Sequence, residues 1–197
     1  MPGILNSLLG RSGAAAVTYA TWNPSALGSG TSLSGGNRTS ASTGNTSDLA
    51  TGGKASGKWY AEITKDSGST VLIGVGNASA GRASFPGQDA NGWAVYSSNG
   101  NKYNSGSGSA YGTSYTNGDV IMVALDMDNG KVWMGKAGTG WFNSGNPAAG
   151  TNAAFTGLTG TLYILGGGDG GARQMTGNWG QAAFTATPPS GFSAWTV

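Results

Sequence analysis

The side chains in this sequence that could do chemistry by their type and spacing are the aspartates of the stretch 126–130, Asp-Met-Asp-Asn-Gly. Carboxylates at alternate positions before a glycine are typical of a calcium-binding loop. Such a loop needs another liganding residue before its glycine and a glutamate at its twelfth position, which here is Ala137. We therefore interpret 126–130 as a hairpin turn, and we predict no metal site.

Groups suited to catalysis are few in the rest of the chain. The sequence has no histidine and no cysteine, which excludes Ser-His-Asp and Cys-His catalysis and histidine-ligated zinc or iron sites. Glu62 is the single glutamate, and most of the aspartates have neighbours typical of turns. The glycine run 166–171 lacks the lysine and hydroxyl residue that complete a phosphate-binding loop. We predict a protein that is not an enzyme and that holds no cofactor.

Recognition through a surface is the function that these exclusions leave. Long loops rich in Tyr, Ser, Gly and Asn are typical of adaptable binding surfaces, because rigid amphipathic rings stand beside flexible polar groups. For each ring taken alone, packing inside the protein is the competing interpretation. The residues of the predicted ligand-binding loops are Arg82, Phe85, Tyr103, Tyr111, Tyr115, Trp141 and Phe142.

The charge and hydropathy patterns argue against two classes of partner. The formal net charge is +2 and the basic residues form no cluster, whereas binding to nucleic acid needs several phosphate contacts from clustered Lys and Arg. No apolar stretch approaches the length of a membrane-spanning helix. We therefore expect neither a nucleic-acid partner nor a membrane.

The elements that must position these loops are predicted to be strands. The chain has 38 glycines and 9% charged residues, and its apolar runs are short and separated by Gly, Ser, Asn and Thr. This pattern is typical of an all-β sandwich or barrel. Seven Trp, seven Tyr and five Phe supply the core mass that a disordered glycine-rich chain lacks.

One segment, 118–134, has the pattern of a complete β-hairpin and is predicted to lie at the centre of the domain. Val120–Leu125 is an apolar run of strand length. Asn129-Gly130 favours a two-residue type I′ turn, because both central residues of that turn need φ > 0. A second hairpin is predicted from 57–63 and 71–76, with its turn at 66–68. Further strands are predicted at 17–22, 92–96, 162–165 and 175–181, and the glycine run 166–171 is predicted to be a turn.

The first sixteen residues differ in composition from the remainder. Ile4, Leu5, Leu8 and Leu9 fall on one face at helical spacing, but two helical turns are not stable alone in water. Residues 1–16 are therefore either a loose terminus, a segment packed on its own domain, or a docking peptide that inserts these four side chains into a partner. The domain itself is predicted to span 17–197.

Several of these segments together resemble the SPRY domain family. The resemblance covers about residues 17–195, and the segments occur in the family's order. They are 57–63 (GKWYAEI), 73–76 (IGVG), 118–121 (GDVI), 125–130 (LDMDNG), 178–181 (NWGQ), and Phe184 followed by 188–192 (PPSGF).

The resemblance implies a concanavalin-like sandwich of two antiparallel sheets and a non-catalytic module that binds protein or sugar through loops. The additional segment 141–151 and the low-charge composition rich in Gly, Ser, Ala and Thr are similar to SPRY-type domains of tailed-bacteriophage virion proteins. We expect a virion structural protein, a capsid decoration or a tail or baseplate appendage, that docks by its N-terminus on other virion proteins and is oligomeric within the assembly. A stand-alone module that binds a host-surface glycan is the alternative.

Overall fold

The computed structural model describes residues 16–197. The predicted docking residues Ile4, Leu5, Leu8 and Leu9 lie outside this part of the chain. The described residues form fifteen short or medium strands and one three-residue 3-10 turn, Phe142–Ser144, which confirms the all-β prediction. None of their helical segments has the length and apolarity to cross a membrane.

The strands form two sheets. In chain order they are β1 (Ser32–Ser34), β2 (Thr39–Thr43), β3 (Thr46–Leu49), β4 (Lys58–Gly68), β5 (Leu72–Gly76), β6 (Gly92–Tyr96), β7 (Lys102–Asn104), β8 (Ser107–Ser109), β9 (Val120–Asp126), β10 (Lys131–Lys136), β11 (Gly140–Trp141), β12 (Phe155–Thr156), β13 (Tyr163–Gly168), β14 (Ala172–Asn178) and β15 (Ser193–Ala194). The nine-stranded sheet has the order β1-β2-β14-β4-β9-β10-β11, with β12 beside β10 and β15 beside β4. The six-stranded sheet has the order β3-β13-β5-β6-β7-β8. All pairs are antiparallel except β15 with β4, so the sandwich of two antiparallel sheets is confirmed.

The predicted central hairpin exists, but its turn has a different form. β9 and β10 pair from Ile121–Lys136 to Asp126–Lys131, which leaves a four-residue turn in place of the predicted type I′ pair. Of the two turn residues Asn129 and Gly130, only Gly130 has a positive φ, 59°. The Asp126 carboxylate accepts hydrogen bonds from the backbone N–H and the side-chain amide of Asn129, at 3.1 and 2.9 Å. The side chain of Asp126, and not the backbone twist alone, therefore fixes this turn.

The second predicted hairpin is wrong. β4 belongs to the nine-stranded sheet and β5 to the six-stranded sheet, so the chain crosses between sheets at 69–71. Ile63 and Ile73 both reach the core between the sheets, one from each side. Alternating apolar residues show that a strand has a buried face, but they do not show which sheet it joins.

The predicted first strand, 17–22, is also wrong. This segment makes isolated bridges, Tyr19 with Thr196 and Trp22 with Ala50, and no ladder. The backbone N–H of Val197 donates to the carbonyl of Thr18 at 2.8 Å, so the two ends of the described chain lie side by side.

The glycine run is mostly strand and not turn. Gly166–Gly168 belong to β13, and the turn is confined to the residues that follow. A Cβ at Gly167 would lie 2.0 Å from the carbonyl oxygen of Thr46 on the neighbouring strand. Glycine is needed here because the backbones approach too closely for any side chain.

The core lies between the sheets, and a second apolar cluster lies on the outer face of the larger sheet. In the core, the rings of Trp22 and Trp179 meet edge to face with centroids 5.5 Å apart. On the outer face, Trp133 is fully buried beneath Phe184 and Phe192 of the C-terminal segment 182–192.

Glu62 fastens the C-terminal segment to the larger sheet. Its carboxylate accepts hydrogen bonds from the backbone N–H groups of Thr185 and Ala186, both at 2.8 Å, and from the hydroxyl of Tyr60 at 2.8 Å. The single glutamate of the chain is therefore engaged in holding the fold.

Candidate binding site

Three of the residues predicted to contact a ligand are buried. Tyr111, Tyr115 and Phe142 are 7%, 2% and 4% exposed, and all three belong to the core between the sheets. The rings of Tyr111 and Phe142 pack edge to face with centroids 6.1 Å apart. The structure therefore corrects the prediction for these three residues, because a buried ring has no surface to offer a ligand. The glycine- and serine-rich segment that carries two of them folds inward.

Tyr115 shows what this burial achieves. Its hydroxyl lies 2.8 Å from the carbonyl oxygen of Val71, the residue before β5, and 2.9 Å from that of Val95 in β6. Burial raises the pKa of the Tyr115 hydroxyl well above its ordinary value, so the group stays neutral and donates a hydrogen bond. Tyr115 is a structural link between β6 and the residue that leads into β5.

Changing Tyr115 to Phe removes this link without removing the ring. We expect the free energy of unfolding to fall by about 1–2 kcal/mol, because a buried hydrogen bond is lost and a carbonyl is left less well satisfied. Urea denaturation measures the change. Tyr103→Phe is the matched control, since Tyr103 is half-buried at the surface, and it should change the value by less than about 0.5 kcal/mol. Equal effects of the two changes would contradict the structural role of Tyr115.

Trp141 and Arg82 are also engaged in packing, though each keeps some exposure. The Trp141 ring meets Tyr60 edge to face with centroids 6.3 Å apart, and it helps to cover the outer face of the larger sheet. The Arg82 guanidinium donates to the carbonyls of Ala78 and Ala80. Burial lowers the pKa of Arg82, and the charges of nearby aspartates oppose that shift.

The two remaining predicted residues, Phe85 and Tyr103, meet on the outer face of the six-stranded sheet. Their rings are edge to face, with centroids 6.1 Å apart and an interplanar angle of 89°. Tyr103 makes a second perpendicular contact with Tyr96, at 5.6 Å and 81°. Three aromatic rings thus stand at right angles in a row, and Tyr103 is in the middle.

Strand register explains why these rings share one face. Tyr96 lies opposite Leu72 across β5 and β6, and Tyr103 lies opposite Ala94, two residues from Tyr96. Residues two apart on a strand point to the same side. Gly167 of β13 lies opposite Leu72, and Asp169 follows two residues later.

These residues enclose a small cleft, which we call the aromatic cleft. It is lined by Leu72, Phe85, Tyr96, Tyr103 and Asp169 and has a volume of about 30 Å³. Leu72 is 1% exposed and forms the floor, whereas Asp169 is exposed at the rim. The Tyr96 hydroxyl donates to the Asp169 carboxylate at 3.3 Å. Burial raises the pKa of Tyr96, and the charge of Asp169 adds to that rise.

The loop that carries Phe85 is held firmly on the sheet. Asp89 closes it by accepting hydrogen bonds from the backbone N–H groups of Gly81 and Asn91, at 2.7 and 2.8 Å. The Ser47 hydroxyl donates to the carbonyl of Ser84 at 2.6 Å, which ties the loop to β3. The wall of the cleft that Phe85 supplies is therefore preorganised, which reduces the entropy lost on binding.

The groups that line the cleft are suited to binding a ligand. In the described part of the chain, no three Asp or Glu residues are grouped closely enough to hold a metal ion. The cleft has one carboxylate and no second acid or base opposite it. Aromatic walls, an apolar floor and one anionic group can hold and orient a ligand.

Comparison with known proteins identifies the fold family. The family model described as the SPRY domain matches residues 58–165, which is more than half of the chain. The chain belongs to the SPRY domain family. No curated protein matches the sequence.

Two solved structures support the same fold for this SPRY domain. The SPRY domain of human HERC1 is similar with a TM-score of 0.67 and 16% identity, over 82% of this chain and 99% of that chain. The stonustoxin structure is similar with a TM-score of 0.62 and 19% identity, over 81% of this chain and 27% of that chain. At these identities the likeness concerns the fold alone.

Sequence reasoning missed Tyr96 and Asp169 as cleft residues of this SPRY domain. Tyr96 lies in a predicted strand, 92–96. Side chains alternate between the two faces of a strand, so with Trp93 and Val95 on the inner face Tyr96 falls on the outer face. No comparable pattern identifies Asp169. The glycines before it predict a turn, whereas Gly166–Gly168 belong to β13, and Asp169 directly follows that strand.

Proposed function

We propose that this SPRY domain is a non-catalytic binding module of a tailed-bacteriophage virion. Its N-terminal segment would dock on a capsid, baseplate or tail protein, and the sandwich would display the aromatic cleft to a further partner. The preorganised cleft of Phe85, Tyr96 and Tyr103 beside the exposed Asp169 is the observation that carries the binding role.

The use of the acidic side chains supports a role without catalysis. Asp48 binds a buried arginine, Glu62 holds the C-terminal segment, Asp89 closes a loop, and Asp126 fixes the central turn. Carboxylates occupied in this way are not free to act as a paired acid and base.

The composition supports the proposed setting. The chain is rich in Gly, Ser, Ala and Thr and has 9% charged residues, a composition that resembles virion SPRY-type domains. Val17, near the start of the described residues, is 62% exposed, so the point at which the N-terminal segment joins the sandwich lies at the surface. This supports the proposal that the segment docks on a partner.

Removing residues 1–12 tests the docking proposal. We expect the truncated protein to be incorporated into particles of the phage that encodes it at one tenth of the normal copy number or less, because the four apolar anchors are absent. Quantitative mass spectrometry of purified particles measures the copy number. A matched variant with Asn6→Ser and Ser7→Ala keeps the apolar face and should be incorporated normally. Full occupancy by the truncated protein would show that the segment does not dock.

A stand-alone carbohydrate-binding module is the second candidate function. The partly exposed rings of Phe85, Tyr96 and Tyr103 favour it, because they lie beside a carboxylate that can accept hydrogen bonds from sugar hydroxyls. Among the rings first considered for such a site, Tyr111 and Tyr115 are buried, so a glycan would bind at the aromatic cleft and not on that loop.

A further inference from the structure

The size of the aromatic cleft limits what can enter it. A volume of about 30 Å³ is roughly two to three times the minimum that a single water molecule needs, so the cleft admits the end of one side chain and does not enclose a sugar ring. Its walls are perpendicular and not coplanar, so they offer no flat platform on which a sugar could stack.

The electrostatics of the cleft favour a cation. The faces of aromatic rings carry the negative part of the ring quadrupole and attract ammonium groups within about 6 Å. The Asp169 carboxylate at the rim forms no ion pair with any residue of the described range 16–197. The exposed carboxylate and the three ring walls together favour a cation, and the lining of the cleft includes no basic side chain.

No basic side chain of the described chain occupies this position. Lys102 is adjacent to Tyr103 in sequence, but it lies on the opposite face of the sheet. Its ammonium donates to the carbonyl of Ala154 at 2.6 Å and lies over the rings of Tyr111 and Phe155, at 5.6 and 5.1 Å. The fold thus already holds one lysine between two aromatic rings on its inner face, and the outer face presents similar groups to solvent.

We propose that the aromatic cleft receives the ammonium end of a lysine side chain from a protein partner. The compact ammonium suits the small volume better than the planar guanidinium of arginine. The ammonium end lies against the rings of Tyr96 and Tyr103, and Asp169 at the rim pairs with its charge. This inference rests on the proposed binding function and names the chemistry of its partner.

Titration with small probes tests the inference directly. The probe is N-acetyl-lysine N-methylamide, and its neutral counterpart is N-acetyl-norleucine N-methylamide, which has the same stem without the charge. Ring signals of Tyr96 and Tyr103 in NMR spectra report occupancy. We expect saturable shifts with the lysine probe at millimolar concentration and at least tenfold weaker binding of the norleucine probe.

Two variants and one control locate the interaction. Asp169→Asn should weaken lysine binding at least fivefold, and Tyr103→Leu should weaken it at least tenfold. Asp128→Asn is the control, because Asp128 is also exposed but lies in the hairpin turn, where its Oδ1 accepts a bond from Gly57. This control should bind the probe as the unchanged protein does. Asp169→Asn keeps the inference testable if Tyr103→Leu folds poorly, because Asp169 is exposed.

Three outcomes would overturn the inference. These are equal binding of the two probes, an unchanged affinity after Asp169→Asn, and ring shifts produced by an oligosaccharide but not by lysine. The last outcome would assign the cleft to a glycan. Incorporation of the truncated protein into particles is measured independently, so failure of the lysine probe leaves the docking proposal untouched.

Discussion

Replacing Asp48 with alanine is expected to lower the free energy of unfolding by about 3–5 kcal/mol, because it leaves an uncompensated guanidinium inside the sandwich. Asp48 of β3 and Arg173 of β14 lie in different sheets, and both side chains are 0% exposed. The Arg173 Nη2 donates to Asp48 Oδ2 at 2.7 Å. The same carboxylate accepts bonds from the hydroxyl of Ser40 at 2.6 Å and the backbone N–H of Gly28 at 2.9 Å.

A double variant separates the charge from the packing. Asp48→Leu with Arg173→Met removes both charges and fills the space with apolar atoms, so it should be more stable than Asp48→Ala by at least about 2 kcal/mol. Lys136→Met breaks the partly exposed pair with Asp119 and should cost no more than about 1 kcal/mol. Urea denaturation of the variants gives the comparison. A loss below about 1 kcal/mol for Asp48→Ala would show that the ion pair does not hold the two sheets together.

Changing Trp133 to Ala is expected to cost about 3–5 kcal/mol, because a fully buried ring leaves a cavity on the outer face of the larger sheet. The ring packs edge to face on Phe192 with centroids 6.5 Å apart. Its indole N–H donates to the carbonyl of Thr151 at 2.7 Å. One side chain thus anchors both the C-terminal segment 182–192 and the segment 141–151.

The matched change, Trp133→Phe, keeps an aromatic ring and loses the hydrogen bond. It should cost about 1–2 kcal/mol. Limited proteolysis gives a second reading, since cleavage within 182–192 should rise in the alanine variant before the sandwich unfolds globally. If the two variants lost equal stability, the hydrogen bond and not the ring would be the anchor.

The framework of this fold could be predicted because its strands have strong local patterns. Val120–Leu125 is an apolar run rich in β-branched residues, and the turn residues after it predict the hairpin that β9 and β10 form. The turn type was wrong because the Asp126 side chain supplies bonds that backbone preferences do not include. The pairing of 57–63 with 71–76 was wrong because the choice of sheet depends on contacts distant in sequence.

The candidate site could be predicted only in part for a similar reason. Phe85 and Tyr103 come from loop-like sequence and were recognised by residue type. Tyr96 and Asp169 join them through the pairing of β6 with β5 and of β5 with β13, which no local pattern specifies. The prediction for Tyr115 is wrong because small neighbouring residues allow its segment to fold inward, where the hydroxyl meets the carbonyls of Val71 and Val95.

The adjacency of Thr18 and Val197 has a mechanical consequence. Their backbones are joined by a hydrogen bond of 2.8 Å, and Tyr19 bridges Thr196 beside them. A pulling force applied between these two points would open this short bridge first and would reach the sheets only after it had parted. The same geometry would allow the domain to be inserted into a surface loop of another protein, because Thr18 and Val197 are adjacent. The two residues of that protein that flank the insertion would stay close together.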